Sequence, residues 1–141
     1  MTISTFILAI ALVESGNNPR AVGKAGELSE YQITERVWMR YANTVGPFTR
    51  KNAGNRIKSR YVAFCHAEEL SQKYKASSSQ VAKLSPSEKR VYEYKLVTIC
   101  AAGWHRGEAY MKRPISRWSA ETRDYADRVW NTYEQLKKEG K

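Results

Sequence analysis

Glu14 follows an uncharged apolar run, residues 6–13, and that position makes it the first residue to consider for chemistry. If the run is a helix, the carboxyl sits on its last turn. Burial beside apolar side chains disfavours the ionised form, and the negative end of the helix dipole acts in the same direction. A carboxyl kept protonated near neutral pH can give a proton to a leaving oxygen, as a general acid does. The competing reading is a solvated Glu at a helix end.

Glu27 and Glu30 are the acids of the polar, glycine-bearing stretch that follows. An inverting glycosidase needs a second carboxylate about 6.5 to 9.5 Å from its acid, to activate water. Glu27 and Glu30 are the candidates for that role; the plain alternative is two charged loop residues solvating a turn. His66, His105, Cys65 and Cys100 have no partners at metal-ligand spacing. No metal and no cofactor is therefore expected, the histidines read as exposed or internally satisfied, and the cysteines read as buried thiols rather than a disulfide.

Residues 103–118 hold Trp104, His105, Arg106, Tyr110, Lys112 and Arg113 and read as a basic, aromatic loop. Indole and phenol faces stack on sugar rings, and equally on the bases of single-stranded nucleic acid. Of Trp38, Trp104, Trp118 and Trp130, only Trp104 is expected to face a groove.

The elements that must position these groups are helical. Residues 3–15 are apolar nearly all round, as in a helix buried through a domain, with Thr2 or Ser4 to cap it and Gly16, Asn17, Asn18 and Pro19 to end it. Thr34 caps a second helix through Val37, Trp38 and Tyr41. Residues 43–55, with Gly46, Pro47 and Gly54, read as a loop. Ile57, Tyr61, Phe64, Cys65 and Glu68 recur at helical spacing and predict a third helix to about Lys75. A short helix is expected within residues 77–83. Ser85-Pro86-Ser87-Glu88 is the strongest start signal, a capping box with Pro in the first turn, and its helix continues through Val91, Tyr94 and Val97 to Ala102. Ser119 caps the last helix, whose inward stripe is Tyr125, Val129, Tyr133 and Leu136. Strand alternation is absent, so any β-structure is a small hairpin or irregular segment within residues 22–33. The expectation is one mainly α domain over residues 1–141.

That length, 141 residues, suffices for a core without staples, and 42% hydrophobic residues with 11% aromatics exclude a disordered or low-complexity chain. The formal net charge of +10 calls for a polyanionic partner: nucleic acid, an anionic membrane or bacterial cell wall. Residues 6–13 are too few to span a bilayer, which takes about 20 apolar residues. They also lack the basic flank and small-residue cleavage site of an export signal.

The neighbourhood of Glu14 narrows the choice. Residues 9–23, from Ala9 through Val13-Glu14-Ser15-Gly16-Asn17-Asn18-Pro19-Arg20-Ala21 to Gly23, followed by Gly26 and Tyr31-Gln32-Ile33, resemble the lytic transglycosylases and goose-type lysozymes of the lysozyme-like superfamily. That family carries a helix ending in Glu-Ser, an Asn-Pro-x-Ala turn and a glycine-rich segment closing in Gln-Ile. Glu121-Thr122-Arg123-Asp124-Tyr125 is similar to the block that opens its last helix. The resemblance implies a lysozyme-like helical fold with Glu14 as the catalytic acid. It also implies Ser15 and Gln32 along the substrate cleft, and Tyr125 orienting the carboxyl or the sugar; Tyr31, beside Gln32, and Trp104, of the aromatic loop, are further substrate-binding candidates.

Two departures stand out. Cys100-Ala101-Ala102-Gly103 lacks the Asn that the family carries in a Tyr-Asn-Ala-Gly run, and Ser29-Glu30 stands where the family commonly has Gly and an apolar residue. The expected activity is cleavage of the β-1,4 bond between N-acetylmuramic acid and N-acetylglucosamine in peptidoglycan, acting at the wall as a monomer. If neither Glu27 nor Glu30 activates water, the muramyl 6-hydroxyl attacks and leaves a 1,6-anhydro end. The alternatives are a non-catalytic wall-glycan binder and, behind it, a basic nucleic-acid-binding domain.

Overall fold

The computed structural model describes residues 1–141, and the fold is mainly α. In chain order the helices are α1 (Ile3–Ser15), α2 (Glu35–Met39), α3 (Ala42–Val45), α4 (Arg50–Gly54), α5 (Arg56–Gln72), α6 (Ser78–Ala82), α7 (Pro86–Arg106) and α8 (Ala120–Lys138). Two 3₁₀ turns, Glu108–Lys112 and Ile115–Arg117, join α7 to α8.

Helix α1 packs against α8 and α5, and α7 packs against α8 and α5. The reason lies in α1 itself: Phe6, Ile7, Ala9, Ile10 and Ala11 are at most 1% exposed, so the helix is wrapped rather than laid on a surface. The same apolar cluster runs through Val62, Ala63, Ala67 and Leu70 of α5, residues 96, 97 and 99–102 of α7, and Tyr125, Val129 and Tyr133 of α8. Trp38, Trp118 and Trp130 are buried in it as expected.

Helix α1 stops where its glycine permits. Gly16 takes a left-handed φ of 64° and its N–H reaches Leu12 O, while Asn17 N–H reaches Ala11 O, both at 3.0 Å; this double cap satisfies carbonyls that the helix leaves open. Thr2 occupies the N-cap position of α1 without a side-chain capping bond. Residues 22–33 form no sheet. Two isolated antiparallel bridges, Val22 to Leu28 and Leu28 to Ile33, fold this stretch back under the end of α1.

Three local expectations are corrected. Residues 43–55 contain α3 and α4, the latter capped by Thr49 Oγ1 on Asn52 N–H at 3.1 Å, because a Thr cap outweighs the turn-forming composition around it. The apolar repeat that marks α5 is not its buried face. Ile57 is 83% exposed, and Tyr61 and Phe64 also face solvent, while Ser59, Val62, Ala63, His66, Ala67 and Leu70 point inward. Small residues there let α5 approach its neighbours closely. Finally, α7 does not stop at Gly103 but runs to Arg106, so Trp104, His105 and Arg106 are helical and the loop begins at Gly107. Gly103 is buried, and a Cβ there would sit 2.7 Å from Met111 Sδ, so this glycine serves close approach. Gly107, at φ 94°, is the true stop.

No helix is long and apolar enough to cross a membrane. Cys65 and Cys100 are both free thiols.

Candidate active site

The C-terminal turn of α1 and the first turns of α8 bring Glu14 and Tyr125 together. Tyr125, 3% exposed, donates its phenolic O–H to Glu14 Oε1 at 2.6 Å. Glu14 is half-buried, and its carboxyl is held above the usual range, chiefly by desolvation. The Tyr125 bond opposes that rise, the Glu27 charge adds to it, and Arg128 opposes it. The two ends of the chain thus hold an acid whose pKa is raised, with one oriented donor on it.

Glu27 and Gln32 lie side by side above Gly23, where a Cβ would collide with the Glu27 carboxylate and the Gln32 carboxamide. Glu27 Oε2 accepts from Ala25 N–H at 3.2 Å, and Gln32 Nε2 donates to Ser29 O at 2.9 Å. Both Ser29, at φ 73°, and Gln32, at φ 50°, sit in the left-handed region that glycine prefers. The Ser29 position is the one where a Gly was expected, and Ser29 Oγ offsets part of the strain by accepting Tyr31 N–H at 3.2 Å.

Several expected roles are corrected. Glu30 does not solvate a turn and does not face a water site: it is 1% exposed, with Oε2 accepting from Ser59 Oγ at 3.3 Å and Oε1 3.9 Å from Arg56. Its partners hold it inside, at the place where an apolar residue was expected. Ser15 uses its hydroxyl structurally: it donates to Glu30 O at 2.8 Å and accepts from Asn18 N–H at 3.0 Å, tying α1 to both flanking turns. Tyr31 is 5% exposed and presents no free face. Trp104 is half-buried rather than free, with Nε1 donating to Tyr31 O at 3.1 Å and its edge on Phe6. It forms part of a cleft wall.

That cleft, about 980 Å³, lies between α2, the C-terminal half of α5, the end of α7 and the following 3₁₀ turn. Trp104, His105 and Arg106 line it from the end of α7, and Thr34, Arg36 and Val37 from the start of α2. Glu14 is not in its lining. The connection runs through His105, which lines the cleft and stacks on the Tyr125 ring at 4.4 Å and 19°.

His105, read from the sequence as an exposed or internally satisfied loop histidine, instead lines the cleft from the last turn of α7. Its Nε2 is buried without a hydrogen-bond partner, 3.7 Å from Glu121 Oε1, and burial, assisted by the neighbouring Arg106 charge, lowers its pKa so that it is neutral near pH 7. The signal was present in Gly107: read as the helix stop, it puts His105 and Arg106 on the last turn, where basic residues are favoured. Ala101, where an Asn was sought, is fully buried in the core.

Neither family models nor curated proteins nor solved structures match this chain.

Proposed function

We propose that the protein cleaves the β-1,4 bond between N-acetylmuramic acid and N-acetylglucosamine in peptidoglycan, with Glu14 as the single acid and base. The observation that carries this reading is the pairing of a half-buried carboxyl, its pKa raised by desolvation, with the Tyr125 hydroxyl at 2.6 Å. A solvated helix-end Glu has neither feature. In the proposed reaction Glu14 gives its proton to the glycosidic oxygen as the C1–O bond breaks. The resulting carboxylate then takes the proton of the muramyl 6-hydroxyl as that oxygen bonds to C1. Tyr125 holds Oε1 throughout and stabilises the ionised intermediate state of the acid.

Attack by the 6-hydroxyl is favoured over hydrolysis because Glu30 is enclosed and hydrogen-bonded, and Glu27 is tied to the Ala25 N–H. Neither departure is part of the Glu14–Tyr125 hydrogen bond: Ala101 lies inside the core, and Ser29 holds the left-handed turn that a Gly would hold. The net charge of +10 would keep the enzyme on an anionic wall. Mass analysis of soluble products from purified peptidoglycan tests the proposal. Anhydro-muropeptides are expected; reducing-end products would assign Glu27 the role of activating water, and no fragments at all would leave a glycan binder.

A further inference from the structure

Helix α5 turns apolar side chains to solvent that its packing on α1 and α7 does not use. Ile57 is 83% exposed, Tyr61 43% and Phe64 40%. Spacings of four and three residues put the three in one stripe along the first half of the helix. The Tyr61 ring meets that of Tyr41 edge to face at 6.4 Å, so the ridge continues onto the N-cap of α3. Single exposed apolar residues are ordinary on a protein surface, whereas a contiguous row of them marks an interaction surface.

The charges around the stripe have one sign. Residues 36–67 hold five Arg, two Lys and no Asp or Glu. Arg56 and Arg60 run along one side of the stripe, Arg60 lying three residues after Ile57 and four before Phe64, and Lys58 stands on the other side. Arg56 reaches no closer than 3.9 Å to the enclosed Glu30, Lys58 donates to Asn52 Oδ1 at 2.9 Å, and Arg60 is in no ion pair. Helix α4, which leads into α5, adds Arg50 and Lys51, and with Arg20 these line a cavity of about 510 Å³ that contains no acid. Glu68, one turn beyond Phe64, closes the stripe, and Glu69 next to it is held by Arg40 at 2.9 Å.

The two features together select the partner. A second copy of the chain would set these cations against one another. A wall polymer or a nucleic acid would meet the cations, and could stack on Tyr61 and Phe64, but would leave the aliphatic Ile57 in water. A lipid surface takes up both: hydrocarbon receives the apolar stripe of a helix lying in the interface, and anionic headgroups receive its basic flank. We infer that this face of α5 docks on an anionic phospholipid membrane, with Ile57, Tyr61 and Phe64 at the acyl boundary and Arg56 and Arg60 at the headgroup phosphates. The surface is separate from the Glu14–Tyr125 site and does not depend on the cleavage reading.

Co-sedimentation of the full chain with vesicles tests this. Vesicles of phosphatidylcholine mixed with phosphatidylglycerol should bind it, and vesicles of phosphatidylcholine alone should not. Ile57→Ser should bind the anionic vesicles roughly tenfold more weakly, the loss expected for one aliphatic side chain left in water, while Ile57→Leu should bind as the wild type does. Arg60→Gln should weaken binding about fivefold, as for one basic residue at an anionic surface. Both side chains are exposed, so neither variant should change the thermal melt, and both should still digest purified wall. No vesicle binding, equal binding to the two kinds of vesicle, or equal binding by Ile57→Ser and the wild type would each overturn the inference, the last outcome leaving an ionic contact only. A dimer that forms without lipid and that Ile57→Ser dissociates, read by sedimentation velocity, would overturn it in favour of a second copy.

Discussion

Tyr125→Phe removes one oxygen and little else. The ring keeps its burial and its 4.4 Å stack on His105, so the fold is retained. What disappears is the one protein hydrogen bond to the Glu14 carboxyl, the 2.6 Å contact to Oε1. A hydrogen bond to an ionised group is worth about 1.5–3 kcal/mol, and Glu14 is ionised once it has given up its proton. The bond to the neutral acid, about 1 kcal/mol, is lost from the ground state as well, so cleavage slows by the difference of about 0.5–2 kcal/mol, about two- to thirtyfold at 1.36 kcal/mol per tenfold. The direction of the pH effect also follows. Desolvation raises the Glu14 pKa and the Tyr125 bond partly offsets it, so removing the hydroxyl lets it rise further. The alkaline limb of the activity profile, where the acid loses its proton, then moves to higher pH. The assay is turbidity loss of purified wall from pH 4 to 9, with a thermal melt as a control for folding; loss of the neutral bond, about 1 kcal/mol, lowers Tm by roughly 4 °C. An unchanged rate, or an alkaline limb that stays put or moves down, would refute the reasoning.

Other expectations follow from the same geometry. Because the Glu14 pKa is raised above its usual 4.5 in the folded state, the fold loses stability as pH rises from that value through the raised one. Glu14→Gln should therefore melt higher than the wild type at pH 7, with the gap closing towards pH 4; scanning calorimetry at the two pH values checks this. Glu30→Gln should keep wall cleavage while losing about 1–2 kcal/mol in urea unfolding, since the buried carboxylate serves Ser59 and Arg56; loss of cleavage with unchanged stability would instead make Glu30 a reacting group. Burial pushes the Cys100 thiol up to about 12, so thiol reagent at pH 8 should spare it in the native protein and label two cysteines only after denaturation, as read by mass.

The helices whose starts and stops are written in side chains were legible in the sequence. Gly16 and Asn17 end α1, Ser85 and Glu88 form the reciprocal box that begins α7, and Thr34 and Ser119 cap α2 and α8. The Glu14–Tyr125 pair, split by 111 positions, was reached through the resemblance of two short blocks and is held by the packing of α1 on α8. Less was legible where a residue has two uses. Gly103 reads as a helix stop yet gives room to Met111, and the error moved Trp104 and His105 from helix to loop. The large apolar residues of α5 mark its period but face solvent, because alanine and serine on the other side allow the tighter approach. Glu30 reads as a solvated acid because nothing local reveals Ser59 and Arg56, which arrive from 29 and 26 residues away.

Release of soluble fragments from purified peptidoglycan, measured for the wild type and for Glu14→Gln at equal bound protein, tests the central claim most directly. The account predicts anhydro-muropeptides from the wild type and a loss of about a hundredfold or more for the variant, the usual worth of a positioned general acid. Equal release by the two proteins would contradict it.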